Sequence, residues 1–134
     1  MGVNLRGLFL VTQKAIPMLR ESHGWIVNLA SIAGTIPTPG LSAYGATKAA
    51  VISLTRTLNE ELDADGVRAV AICPGFVDTP MAEWSGIPGE RLIQPEDCAE
   101  VVRMLLRLSP HARIPQVVIE RAGSENDETP LAGA

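Results

Sequence analysis

The sequence predicts an α/β fold in which about three parallel strands alternate with three helices, as in half of a doubly wound parallel sheet. Two observations carry this prediction. First, nearly continuous apolar runs occur at Trp25–Ala30, Val67–Cys73 and Pro115–Ile119, which is typical of parallel strands buried on both faces. Second, these runs alternate with longer segments whose apolar residues recur at helical spacing. Strands that alternate with helices favour parallel strand–helix–strand units.

Composition is that of one small globular domain, with 134 residues, 46% hydrophobic, 19% charged and a net charge of -4. No basic stripe with interleaved aromatics appears, so nucleic acid is not expected as a partner. No apolar run approaches the roughly 18 residues of a membrane span. Cys73 and Cys98 fit no metal or redox spacing, which predicts two buried free thiols and a cytoplasmic location. His23 and His111 are predicted to be surface residues, and no metal site is expected.

The first predicted helix covers residues 1–20 and ends at Ser22-His23-Gly24. The strand Trp25–Ala30 follows, with Asn28 as its one polar member. Ser31 comes where this strand should end. Ligands of open α/β sheets bind outside the carboxyl ends of the strands, so Ser31 is placed where chemistry would occur.

The second predicted helix begins at Ser42, which we expect to cap it, and runs to about Ala64. Tyr44 and Lys48 are four residues apart near its start, so they share one face. An ammonium beside a phenol favours the phenolate, which makes the pair a candidate proton donor and acceptor. Ser31 is the candidate hydrogen-bond partner for a substrate oxygen. The alternative is a buried tyrosine beside a solvated lysine, because Tyr-x-x-x-Lys alone is a weak signal.

The remaining elements follow in order. The strand Val67–Cys73 ends at Pro74-Gly75. Residues 80–94 form a loop rich in turn formers, and loops of this length are often lids over a substrate. Met81 and Trp84 in this loop either line an apolar pocket or anchor a small core.

A third helix opens at Pro95-Glu96-Asp97 and stops before Pro110. Its inward-facing residues are predicted to be Ala99, Val102, Leu105 and Leu106. The strand Pro115–Ile119 follows, and residues 122–134, which are polar and small, are expected to form a disordered tail.

Ser31, Tyr44 and Lys48 together resemble the catalytic pattern of the short-chain dehydrogenase/reductase family. That pattern has a serine after a strand, a tyrosine thirteen residues later and a lysine four residues after the tyrosine. The surrounding residues match as well, in Gly24-Trp-Ile-Val-Asn-Leu-Ala-Ser31, Ala33-Gly34 and Tyr44-Gly-Ala-Thr-Lys48. The resemblance implies a Rossmann-like sheet and hydride transfer between NAD or NADP and a small alcohol or carbonyl substrate.

The resemblance also implies a role for each matching residue. Tyr44 exchanges a proton with the substrate oxygen and Ser31 hydrogen-bonds that oxygen. Lys48 favours the Tyr44 phenolate and binds the cofactor ribose, so Tyr44 and Lys48 both border the cofactor. Asn4 matches the family asparagine that completes a proton relay through a water molecule, although a helix cap is an alternative role for it.

A second segment of the resemblance concerns the cofactor. Pro74-Gly75-Phe-Val-Asp-Thr79 is similar to the family segment that borders the nicotinamide. There the main chain at Val77 and the hydroxyl of Thr79 hold the ring carboxamide, and Pro74 and Gly75 are expected to border the cofactor as part of the same segment. A plain strand-ending turn is the alternative.

The resemblance covers nearly the whole chain but only about the second half of the family fold. Met1 falls inside a family helix, and the sequence contains neither the Gly-rich phosphate-binding turn nor the residue that reads the ribose. We therefore expect residues 1–121 to be the C-terminal part of a single Rossmann-like domain, from a fragment or a reading frame begun at an internal methionine. A complete form is expected to be a homodimer or homotetramer through helices 1–20 and 42–64. The alternative function is a non-catalytic truncated remnant that keeps this helical dimerisation surface.

Overall fold

The computed structural model describes residues 5–123 and contains the predicted alternation of helices and strands. The helices are α1 (Gly7–Ser22), α2 (Ser42–Glu61) and α3 (Pro95–Leu106), and the strands are β1 (Trp25–Leu29), β2 (Arg68–Pro74) and β3 (Gln116–Ile119). Asn4 and residues 124–134 lie outside the described residues. The relay role of Asn4 and the disorder of the 122–134 tail therefore stay predictions.

The three described strands form one parallel sheet in the order β1-β2-β3. Leu29 pairs with Ile72 and Pro74 pairs with Ile119, so all three strands end at the same edge of the sheet. The predicted parallel α/β fold is confirmed. We call this edge the carboxyl edge, and Ser31 follows β1 at it.

The core is built on both faces of β2, whose residues from Ala69 to Ile72 are 0–1% exposed. One face carries the small residues Ala69, Ala71 and Cys73, which pack with side chains of α1 and α2. The other face carries Val70 and Ile72, which contact Leu105 of α3. The continuous apolar run in the sequence reflects this burial on two sides.

Among the described residues, strand β1 is fully buried on one face only, and on its other face Trp25 alone is packed, half-buried, against the cluster of Val70, Ile72 and Leu105. Ile26 and Asn28 point to the covered side, whereas Val27 and Leu29 are exposed on the other. The expectation of burial on both faces is therefore wrong for the described part of the chain. Strand residues alternate between faces, and α3 covers the β2 and β3 side of the sheet without reaching this part of β1.

Two boundaries of α2 differ from the prediction. Leu41 is the N-cap and no side chain caps the helix, so the expected capping by Ser42 is wrong. The helix ends at Glu61, and Asp63–Asp65 form a tighter 3₁₀ turn before Gly66. Gly66 has φ +73°, a left-handed conformation that glycine adopts without a steric penalty. The sequence predicts a helix to about Ala64, and the last turn of that segment is 3₁₀ rather than α-helical.

Helix α3 begins with a reciprocal cap, in which the Gln94 N–H donates to Asp97 Oδ2 at 2.9 Å. Leu105 is fully buried against Val70 and Ile72, but Leu106 is 59% exposed. The prediction that both leucines face inward is wrong, because successive helical residues point about 100° apart. Ala99 is also exposed, so of the four residues predicted to face inward only Val102 and Leu105 belong to this cluster, together with Val101. Within residues 5–123, no helix is long and apolar enough to cross a lipid bilayer.

The two adjacent leucines of α3 provide a matched test of this packing. We expect Leu105→Ala to lower the free energy of unfolding by about 2–5 kcal/mol, because it leaves a cavity under the sheet. Leu106→Ala removes a mostly solvated side chain and should change it by no more than about 0.5 kcal/mol. Urea unfolding of the two variants beside the wild type measures both. Equal losses would contradict the orientation of α3.

Candidate active site

Ser31 lies at the carboxyl edge, directly after β1, in extended conformation. The Ala33 N–H donates to Ser31 Oγ at 3.1 Å, so the serine caps the short 3₁₀ turn Ile32–Gly34. This contact fixes the side chain of a largely buried residue. A hydroxyl that accepts one hydrogen bond still has a hydrogen to donate, and Ser31 therefore suits a substrate oxygen.

Tyr44 and Lys48 share a face in the first two turns of α2. Lys48 Nζ lies 5.5 Å from the centroid of the Tyr44 ring. This geometry is a cation–π contact, and it holds a positive charge beside the aromatic ring. Tyr44 is 40% exposed, unlike the buried tyrosine of the alternative interpretation. Lys48 is half-buried.

Two glycines allow α2 to touch the Ser31 turn. A Cβ on Gly34 would lie 2.8 Å from both the Lys48 carbonyl carbon and the Ala49 nitrogen. A Cβ on Gly45 would lie 3.0 Å from the Ala33 carbonyl oxygen. The backbone of the turn thus contacts the backbone of the helix at Lys48 itself. Both glycines belong to the sequence motifs around Ser31 and Tyr44. Their positioning role could not be predicted from the sequence, because it depends on which backbone lies next to them in the folded structure.

The segment after β2 also lies at the carboxyl edge. The Gly75 N–H donates to the Ile119 carbonyl at 2.9 Å, and Val77 forms a parallel bridge with Ile93. The Thr79 hydroxyl is exposed and donates to the Val77 carbonyl at 3.4 Å. Pro74 is the last residue of β2. The structure thus places this segment beyond the strand end, with its hydroxyl held by an internal contact.

The loop from residue 80 to 94 has more local structure than the sequence predicts. It contains two 3₁₀ turns, Pro80–Ser85 and Gly89–Arg91, and the buried Ser85 hydroxyl donates to the Ala82 carbonyl at 2.6 Å. The Trp84 ring meets Phe76 edge to face, with the ring centroids 5.6 Å apart. Both Trp84 and Met81 remain exposed, so neither is a core residue in this structure.

The thiols and imidazoles are not arranged as a second reactive centre. Cys73 is buried and Cys98 is half-buried rather than fully buried. Burial raises the pKa of the Cys73 thiol. Burial and the nearby Asp97 carboxylate raise the pKa of the Cys98 thiol, so both cysteines stay protonated at neutral pH. His23 and His111 are exposed, and residues 5–123 contain no group of three or more metal-binding side chains.

Comparison with known proteins assigns the family. The sequence profile described as short chain dehydrogenase matches residues 1–86. This chain belongs to the short-chain dehydrogenase family. The matched region contains Ser31, Tyr44 and Lys48, together with the two contact glycines Gly34 and Gly45.

Individual relatives agree with this assignment. A 2-(R)-hydroxypropyl-CoM dehydrogenase of Xanthobacter autotrophicus is 41% identical over 128 residues, which cover 95% of this chain and 45% of that protein. A 3-ketoacyl-(acyl-carrier-protein) reductase from Brucella melitensis, solved as a complex with NADH, has a TM-score of 0.78 and 34% identity, covering 92% of this chain and 55% of that one. A serine dehydrogenase complexed with NADP+ has a TM-score of 0.75 and 29% identity, covering 84% and 50%. The chain spans about half the length of the curated relatives it matches.

The close contact between Gly34 and the α2 backbone at Lys48 can be tested by adding a methyl group. Gly34→Ala should lower the free energy of unfolding by about 1–3 kcal/mol, because the new methyl group meets helix backbone that cannot move aside alone. Gly7→Ala is the matched control, since a Cβ there has no neighbour within 4 Å and the added methyl group should not lower the free energy of unfolding. Thermal unfolding compares the two variants. A Gly34→Ala protein as stable as the Gly7→Ala protein would refute the close contact.

Proposed function

We propose that the protein, in its complete form, is an NAD- or NADP-dependent oxidoreductase that transfers hydride between the nicotinamide and an alcohol or carbonyl substrate. One observation carries the proposal. Ser31 and the Tyr44–Lys48 pair are held together at the carboxyl edge by backbone contacts through Gly34 and Gly45. The NADH and NADP+ complexes of two structural relatives support a nicotinamide cofactor and leave the choice between the two open.

The residues at the carboxyl edge fit the nicotinamide half of such a cofactor. An ammonium at Lys48 suits ribose hydroxyls, and main-chain groups at Val77 with the hydroxyl of Thr79 suit a carboxamide. We assign Pro74 and Gly75 to the wall of the same site. The sequence has no Gly-rich turn for the pyrophosphate.

In this mechanism the protein moves the proton. Tyr44 Oη gives a proton to the substrate oxygen in reduction and takes it in oxidation. Ser31 Oγ donates a hydrogen bond to the same oxygen and orients it. Lys48 stabilises the negative charge left on Tyr44 and binds the ribose. A bound nicotinamide supplies or accepts the hydride, and Asn4 is assigned to the relay that returns the proton to solvent.

Assembly and location are further parts of the proposal. A homodimer or homotetramer through α1 and α2 is supported by exposed apolar side chains on α1, namely Phe9, Leu10, Val11 and Met18. The cytoplasmic location stays a prediction from the free thiols. Small alcohols and carbonyl compounds are the proposed partners, and nucleic acid is not expected as one.

Removal of one hydroxyl tests the proton-transfer role. Tyr44→Phe should lower turnover about 10²–10⁴-fold, the usual contribution of a general acid or base, because the ring stays and the proton donor is lost. Tyr44 is the only tyrosine of the chain, so no second phenol can replace it. Steady-state assays with NAD(H) and NADP(H) measure turnover, and calorimetry checks that cofactor affinity is retained. Near-normal turnover in this variant would rule out the role.

The lysine is tested by its effect on binding as well as on rate. Lys48→Met should weaken cofactor affinity and turnover together, because one ammonium serves both the ribose and Tyr44. The chain's other lysine, the exposed Lys14 on α1, provides the matched control Lys14→Met, which should change neither. A loss of turnover with unchanged affinity would remove the ribose contact from the proposal. A folded chain without cofactor binding would favour the non-catalytic alternative.

A further inference from the structure

A buried polar contact joins the strand that leads to Ser31 with the helix that carries Tyr44. Asn28 Nδ2 of β1 donates to Thr55 Oγ1 of α2 at 2.9 Å. Thr55 is fully buried, and its hydroxyl in turn donates to the Val51 carbonyl at 2.6 Å. We call this the Asn28–Thr55 link. Every hydrogen-bonding partner in it lies inside the protein.

The link restricts how α2 sits on β1. The apolar stripe of α2, formed by Val51, Leu54 and Leu58 and continued by Leu62 just after the helix, repeats every three or four residues, so it favours contact without fixing one position along the strand. A hydrogen bond is directional, and a buried amide left without its partner is strongly disfavoured. A helix displaced by one turn would break the link. The polar pair therefore selects one register from several that the apolar contacts allow.

Helix geometry connects this register to the reacting groups. Lys48 and Thr55 are seven residues apart, so their directions around the helix axis differ by only about 20°. Tyr44 lies eleven residues before Thr55, which again differs by about 20° at 3.6 residues per turn. A rotation or slide of α2 that alters Thr55 therefore moves Tyr44 and Lys48 with it. On the other side of the contact, Asn28 lies in β1, three residues before Ser31.

A second polar contact of α2 reaches a different strand. Asn59 Oδ1 accepts a hydrogen bond from the Ala69 N–H of β2 at 2.9 Å. It fixes the far end of the helix to β2, whereas the Asn28–Thr55 link fixes the middle of the helix to the strand that leads to Ser31. The two contacts therefore hold α2 against different strands. Only the Asn28–Thr55 link holds it against β1, the strand that leads to Ser31.

We infer that Asn28 is a positioning residue for the proposed reaction, acting through Thr55 to hold Tyr44 and Lys48 in register with Ser31. This inference rests on the proposed function. Asn28 touches neither the substrate nor the cofactor in this role. It determines where the proton donor stands relative to the hydroxyl that orients the substrate.

Two substitutions at Thr55 distinguish the effect of its hydroxyl group on turnover from the effect of its methyl group. Thr55→Ser keeps the link and should retain turnover within about twofold, whereas Thr55→Val keeps the shape, loses the acceptor and should lower kcat about 10–100-fold with a smaller change in KM. Thr57→Val is the matched control, because the exposed Thr57 hydroxyl bonds only to the Ser53 carbonyl of its own helix at 2.9 Å. Equal turnover of the Ser and Val variants at position 55 would overturn the inference.

The double variant Asn28→Leu/Thr55→Val distinguishes positioning from stability. Both polar partners become apolar, so the melting temperature should return toward that of the wild type. Turnover should stay 10–100-fold low if the link sets register. Recovery of turnover together with stability would mean that the link serves folding alone, and would overturn the inference.

A readout that needs no turnover separates this inference from the proposed function. The amide resonances of Ala33 and Gly34 report the contact between the Ser31 turn and α2. We expect them to shift in the double variant and to stay in place in Thr57→Val. If the resonances shift in the double variant while the wild-type protein turns over no substrate, the proposed function is refuted and the register role of Asn28 is kept. Unshifted resonances in the double variant would refute the register role.

Discussion

The close approach of α2 to the sheet is the constraint on which the rest of the structure depends. Helix and sheet meet over small side chains at Ala69, Ala71 and Cys73, and over no side chain at Gly34. Larger residues would separate the two layers and carry Tyr44 away from Ser31. The candidate site is thus a consequence of packing, because its two halves can approach only as closely as the turn after β1 approaches α2.

The buried polar groups of α2 explain why this packing has one arrangement. Thr55 and Asn59 lie on a helix face that could be wholly apolar, and each is paired with a group of the sheet. A paired buried hydrogen bond adds only about 0.5–1.5 kcal/mol, but a lost partner costs about 1–3 kcal/mol. Other registers of α2 are therefore destabilised by more than the native register is stabilised. Thr55 and Asn59 therefore contribute more to fixing one position of α2 on the sheet than to overall stability.

Much of the fold could be predicted because its signals are local. The apolar run of β2 predicts burial on two sides, and the spacing of Tyr44 and Lys48 predicts a shared helix face. The orientation of Leu106, the exposure of Val27 and Leu29 on one face of β1, and the Asn28–Thr55 link could not be predicted. Each depends on which element lies opposite, and periodicity within one segment does not contain that information. The link also needs two side chains 27 residues apart.

The contacts that hold Ser31, Tyr44 and Lys48 lie between residues 28 and 55. They belong to β1, the turn after it and α2, with β2 as the floor beneath. The proposed proton-transfer groups therefore take their geometry from one strand–turn–helix unit. The proposed binding of a dinucleotide would draw on additional groups, beginning with Val77 and Thr79 after β2. In the proposed function, cofactor affinity and the geometry of proton transfer meet at Lys48, so a change there is expected to alter both, whereas a change at Val77 or Thr79 need not disturb the proton-transfer groups.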